Sequence, residues 1–198
     1  MFGRATVVLL TGTLLAASQP PASGPLTPTE AQRLAEKLEQ VIDHDARSAG
    51  TSQTLVLPAR EVNAYLKFQG ATLFPAGITD PHLTFGGDGQ VAARAIVDLD
   101  AVSKERDRGL FDPLAYLGGD LVVTAEGSLE TADGLGQVAV DAATVGGVPV
   151  PRTVLNELVR YYTRNAERPD GVDLNEPFEL PYGIHEVVVD TDQATVVQ

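Results

Sequence analysis

Three histidines, 27 acidic residues and no cysteine are the groups with which this 198-residue chain could bind metals or move protons. His44, His82 and His185 are far apart in sequence, and no His-x-x-x-His pair sets two imidazoles on one helical face. Asp43-His44-Asp45 groups an imidazole with two carboxylates, but sequence neighbours on a helix point in different directions. Asp98 and Asp100 fall on one face of a strand and could share a cation, although the alternation around them makes a solvated outer face the simpler account. No serine stands in Gly-x-Ser-x-Gly, because Gly127-Ser128 runs on into Leu129-Glu130. Gly86-Gly87-Asp88-Gly89 lacks the lysine and following helix of a phosphate loop and reads as a hairpin turn. The lack of cysteine removes thiol nucleophiles, disulfides and Cys-ligated zinc or iron–sulfur centres. The expectation is a protein without catalytic residues, metal or cofactor, and not an enzyme.

The bulk numbers exclude further classes. A formal net charge of -13 argues against a nucleic-acid surface, which needs clustered Lys and Arg to displace counterions. Hydrophobic content of 43% with 21% charged residues is that of a globular protein, not of an acidic disordered tail. Residues 1–24 read as a signal peptide and linker. Arg4 is a minimal positive region, Val7–Ala17 an apolar run, and Ala16-Ala17-Ser18 offers small residues for cleavage. The apolar run is far short of the ~20 residues that span a bilayer, and no cysteine follows it for acylation, so no permanent membrane anchor is expected. A buried N-terminal helix or strand is the alternative for the same residues. Residues 25–198 then form a single domain, periplasmic or secreted, whose stability rests on its core.

The elements that must position any site follow from periodicity and punctuation. Thr27-Pro28-Thr29-Glu30 is a capping box with proline at the first helical position. Ala31, Leu34, Leu38, Val41 and Ile42 follow on one helical face. Leu55–Leu57 is a short strand; Pro58–Phe68 is a helix, closed by Gly70. Leu73-Phe74-Pro75-Ala76-Gly77-Ile78 reads as an apolar loop before a hairpin of strands 82–85 and 90–100. Strands 121–130 and 135–145 alternate in the same way, joined by Asp133-Gly134. Gly146–Pro151 bends into a helix, 151–165, with Val154, Leu155, Leu158, Val159 and Tyr162 on its apolar side and Asn156, Glu157, Arg160 and Arg164 on its wet side. Short strands 178–180, 184–189 and 194–197 close the chain. The class is α+β, amphipathic helices on an antiparallel sheet.

What exceeds an ordinary pattern is apolar. Segments that should be plain loops carry Leu73, Phe74 and Ile78, then Leu110, Phe111, Leu114, Tyr116 and Leu117. Inward strand positions are often small: Ala93, Ala95, Ala125, Ala139 and Ala143. Small residues opposite helices leave room for close helix packing or for an apolar ligand.

The order of pieces is similar to that of the tubular lipid-binding (TULIP-like) superfamily and its bacterial periplasmic relatives. The residues that carry the likeness are Pro58–Leu66, the strand pairs 82–100 and 121–145, Gly146–Pro151 with helix 151–165, and Pro177–Ile184 with its hairpin. The resemblance implies a half-barrel: a curved antiparallel sheet around a helix, with an apolar groove between them and no catalytic residues. The expected occupant is a lipid or other apolar small molecule. Its helix wall would be Val62, Tyr65, Leu66, Phe68, Val154, Leu158 and Tyr162, and its sheet wall Val91, Ala93, Ala95, Val123 and Ala125. The competing expectation is a non-catalytic envelope scaffold or assembly factor with a filled core, partnered by another envelope protein.

Overall fold

The computed structural model describes residues 24–47, 51–74, 76–98, 100–101, 119–164 and 168–198, with the backbone alone at Arg47 and Tyr162. The signal-like segment and the apolar stretch Leu110–Leu117 lie outside the described residues.

The first helix, α1 (Pro28–Arg47), starts where the capping box places it. The Thr27 amide donates to Glu30 Oε2 at 2.8 Å, and the Glu30 amide donates back to Thr27 Oγ1 at 3.3 Å. Ala31, Leu34 and Val41 are buried, while Ile42 turns outward and is 45% exposed. β1 (Thr54–Pro58) leads into α2 (Ala59–Phe68), on which α1 packs. Lys37 on α1 ties the two together, donating to Val56 O at 2.7 Å and to Glu61 at 2.6 Å.

Two antiparallel sheets carry the remaining chain. The larger runs β2 (Ile78–Gly87), β3 (Gln90–Asp98), β4 (Asp120–Ala132), β5 (Leu135–Val145) and β6 (Val148–Pro149), with β7 (Phe178–Glu179) also pairing to β5. The smaller has the order β1, β9 (Gln193–Val197), β8 (Glu186–Asp190). Among the described residues the larger sheet does not close into a barrel. Asp88-Gly89 and Asp133-Gly134 turn their hairpins with all four residues at positive φ, the conformation that matches strand twist. The α+β class and the antiparallel sheet are therefore as expected.

The register shows which side chains share a face. Val91, Ala93, Ala95 and Val97 of β3 stand opposite Gly127, Ala125, Val123 and Leu121 of β4. The same row reaches Phe85, Leu83 and Ile78 on β2. At one end of this inner face the small sheet is clamped on. Phe85, Val189 and Ala194 form a buried cluster, against which Ala59, Val62, Leu83, Val91, Leu129 and Val187 pack. The join is also polar: Gly89 N–H donates to Val189 O at 3.1 Å and Asp192 N–H to Phe85 O at 3.1 Å.

Three details depart from simple alternation. Between Glu126↔Ala142 and Gly127↔Val140 the partner strand carries an extra residue, Asp141, so the side chains beyond it change face. Ala143 therefore stays inward and buried, but Ala139 pairs with Ser128 on the outer face, contrary to its expected inward position. β2 begins at Ile78, four residues earlier than the expected strand, and an irregularity between Thr79 and His82 is compatible with Pro81 because β2 is an edge strand. Finally, β3 ends at Asp98, so Asp98 and Asp100 share no strand face. Asp98 Oδ1 instead accepts the amides of Asp100 and Ala101 at 2.9 and 3.0 Å.

Candidate ligand-binding cleft

The half of the inner face away from the small sheet is where the structure leaves space. A cleft of about 310 Å³ lies between the end of α2, the approach to β2 and the strands β2, β3 and β4. Its lining includes Leu66, Phe74, Ile78, Pro81, Leu83, Ala93, Ala95, Val97, Val123 and Ala125, and also His82 and Arg94, which pair with each other one position off the Leu83–Ala93 row. The sequence explains its depth. Ala93 stands opposite Ala125, and Ala95 opposite Val123, so neighbouring strands present small side chains where larger ones would fill the volume.

The roof comes from α2 and the turn after it. Gly70 is buried beside Leu66 and Phe74 and opens the 3₁₀ turn Gly70–Thr72 at the helix end. Asn63 fixes α2 to the sheet. Its Nδ2 donates to Leu83 O at 2.7 Å and to Ala59 O at 2.9 Å, while its Oδ1 accepts the Leu83 amide at 2.7 Å. Asn63 is buried, and it satisfies both backbone groups of Leu83 on the free edge of β2 as another strand would.

Five of the residues expected to line a groove are brought together here: Leu66, Ala93, Ala95, Val123 and Ala125. Val62 and Val91 pack instead on the Phe85–Val189–Ala194 cluster. One turn of α2 separates Val62 from Leu66, and the small sheet covers its end of the inner face. Tyr65 is half-buried outside the lining, and Phe68 is 42% exposed with the Lys67 ammonium 5.5 Å above its ring. The third helix, α3 (Arg152–Thr163), packs on β5 and contributes nothing to the lining. Val154 is 47% exposed and Leu158 half-buried on it; the Tyr162 side chain lies outside the described residues.

Sequence reasoning missed Pro81 because the strand start was set too late, and it left out Leu83 and Val97 although both lay within the expected strands 82–85 and 90–100. Phe74 and Ile78 had a signal, as hydrophobes too large for an ordinary loop. Asn156, assigned to the wet side of its helix, is buried and accepts the Leu174 amide at 2.8 Å.

A second, larger hollow of about 740 Å³ lies beside β5, walled by the segment 168–181 and Val138. Arg168, Asp173, Glu176 and Glu179 stand around it, so a hydrocarbon entering there would desolvate charges. Asp173 is spent on local structure. The backbone amide of Asn175 is the main cause of its carboxyl lying below the ordinary range, assisted by the Asn175 and Asn156 side chains and by Arg160. Glu30 is also held low, chiefly by the Arg60 guanidinium, and it lies at the start of α1. Neither belongs to the cleft. Among the described residues no group of three acidic, histidine or cysteine side chains is placed to hold a metal ion, and no helix is long and apolar enough to cross a membrane. What the cleft can do chemically is exclude water from hydrocarbon.

No protein-family model matches this chain, and no curated protein or solved structure is significantly similar to it.

Proposed function

We propose that this protein is a binding protein that holds or shuttles an apolar ligand, a lipid or another molecule with a hydrocarbon part, in the cleft between α2 and the large sheet. The observation that carries this reading is the cleft itself: an apolar hollow floored by alanines and roofed by Leu66 and Phe74. Moving apolar surface from water into such a site is favourable by roughly 25 cal/mol per Å². The pocket is of the size and composition of small-molecule sites, at the lower end of their ~300–1,000 Å³ range. The TULIP-like order of elements and the signal-like segment 1–24 support the same reading, with the protein exported to the periplasm or beyond. The role is one of binding, without a catalytic residue, cofactor or metal.

The test is native mass spectrometry of the gently purified protein, followed by solvent extraction. The expected result is bound apolar mass, lost in Leu66→Asp while the fold, followed by circular dichroism, is retained. Ligand-free protein that also fails to take up any added apolar molecule would refute the reading.

A second reading, a non-catalytic scaffold for an envelope partner, is favoured by Val148 and Val154, which are 66% and 47% exposed. Its strand-addition form is opposed by the way edges are sealed. Asn63 occupies Leu83 on β2, and Thr131 Oγ1 donates to Val187 O at 3.0 Å and accepts the Val187 amide at 2.8 Å on β8.

A further inference from the structure

We infer that the cleft takes one hydrocarbon chain of about ten carbons, from a single-tailed amphiphile with an uncharged head, and not the paired tails of a diacyl lipid. This rests on the apolar-ligand reading and narrows it. A chain carbon fills roughly 30 Å³, close to the share of one water molecule in the liquid. A volume of about 310 Å³ therefore matches one such chain of about ten carbons and is about half of what a pair would need. The side chains that enclose it, Leu66, Phe74, Ile78, Leu83 and Val123 among them, offer no hydrogen bond. The backbone groups of β3 beneath it are paired on both sides, to β2 and to β4. A hydroxyl or charge carried into the cleft would lose its water without finding a partner, so the head stays outside. The chain as a whole carries -13. An anionic head therefore meets a like-signed molecule, which leaves an uncharged head as the better fit.

The test is a series of straight-chain alcohols from hexanol to tetradecanol, each competed against the fluorescent probe N-phenyl-1-naphthylamine. Affinity is expected to rise about fourfold with each added methylene and to level at about ten carbons. Ala125→Leu and Ala95→Leu each place roughly three more carbons on the floor and should move the levelling point to about seven. Ala139→Leu, the same enlargement on the outer face, should leave it at about ten. Monodecanoyl glycerol should bind more tightly than didecanoyl glycerol, and decanol more tightly than decanoate. A climb unbroken to fourteen carbons, tighter binding of the two-tailed glyceride, equal binding of decanoate, or floor variants that behave as the parent would each overturn the inference and leave the apolar-ligand reading standing. Failure of every alcohol and of the probe to bind would overturn both.

Discussion

Replacing Asn63 should loosen the joint that forms the cleft. Its carboxamide makes three hydrogen bonds of 2.7–2.9 Å, two of them to the amide and carbonyl of Leu83 on the edge strand β2. In Asn63→Ala both groups of Leu83 lose their partner at a half-buried position. An orphaned buried polar group costs ~1–3 kcal/mol, so two of them together with the small void amount to about 3 kcal/mol. For a domain of this size that is a fall in Tm of roughly 6–12 °C, read by circular dichroism and by urea titration at unchanged m-value. Asn63→Asp separates the chemistry from the packing. The carboxylate still accepts the Leu83 amide but faces the carbonyls of Leu83 and Ala59, to which the amide nitrogen had donated. Its folded pKa is therefore raised above the unfolded value, and its penalty relative to the parent should shrink as pH falls through that raised value, because the protonated form regains a donor. A loss under about 0.5 kcal/mol in Asn63→Ala, or an Asn63→Asp penalty that does not vary with pH, would refute the role given to this side chain.

Other sites give independent checks. A Cβ at Gly127 would lie 2.1 Å from Ala139 O at the β4–β5 bulge, so Gly127→Ala should destabilise by at least ~2 kcal/mol in chemical denaturation or displace the bulge. Glu30 has its folded pKa depressed below 4.5, chiefly by Arg60, so its contribution is present above the unfolded value and lost as pH falls through the folded one. Glu30→Gln should therefore cost at most about 1 kcal/mol at pH 7 and nothing in strong acid, measured as paired melts across pH. Val154→Asp should change stability by less than about 0.5 kcal/mol and leave probe binding intact, since that side chain is half in water and remote from the cleft lining.

Local signals carried much of this architecture. Thr27 and Glu30 announce the start of α1 because a capping box needs only residues three apart, and the two Asp-Gly turns set their hairpins for a similar reason. Alternation gave β3, β4 and β5, and with them the alanine floor. What escaped was non-local. The pairing of β1 with β9 joins residues 54–58 to 193–197, and nothing in either segment names the other. Because the small sheet sits on the Phe85 end of the inner face, Val62 and Val91 become core and not lining. One inserted residue, Asp141, inverts the facing of Ala139, which strict alternation cannot anticipate. On α3 amphipathicity gave the facing only in part, since Val154 is exposed and Asn156 buried, and it did not show that the helix rests on β5, away from the cleft.

The central claim is that an apolar chain sits over Ala93, Ala95, Val123 and Ala125. Methyl-resolved NMR during a titration with decanol tests it most directly. The shifts should concentrate on those four residues with Leu66 and Ile78, and spare Val154, Val189 and Ala194. Perturbations centred on α3, or spread evenly over the surface with none in the cleft, would contradict it.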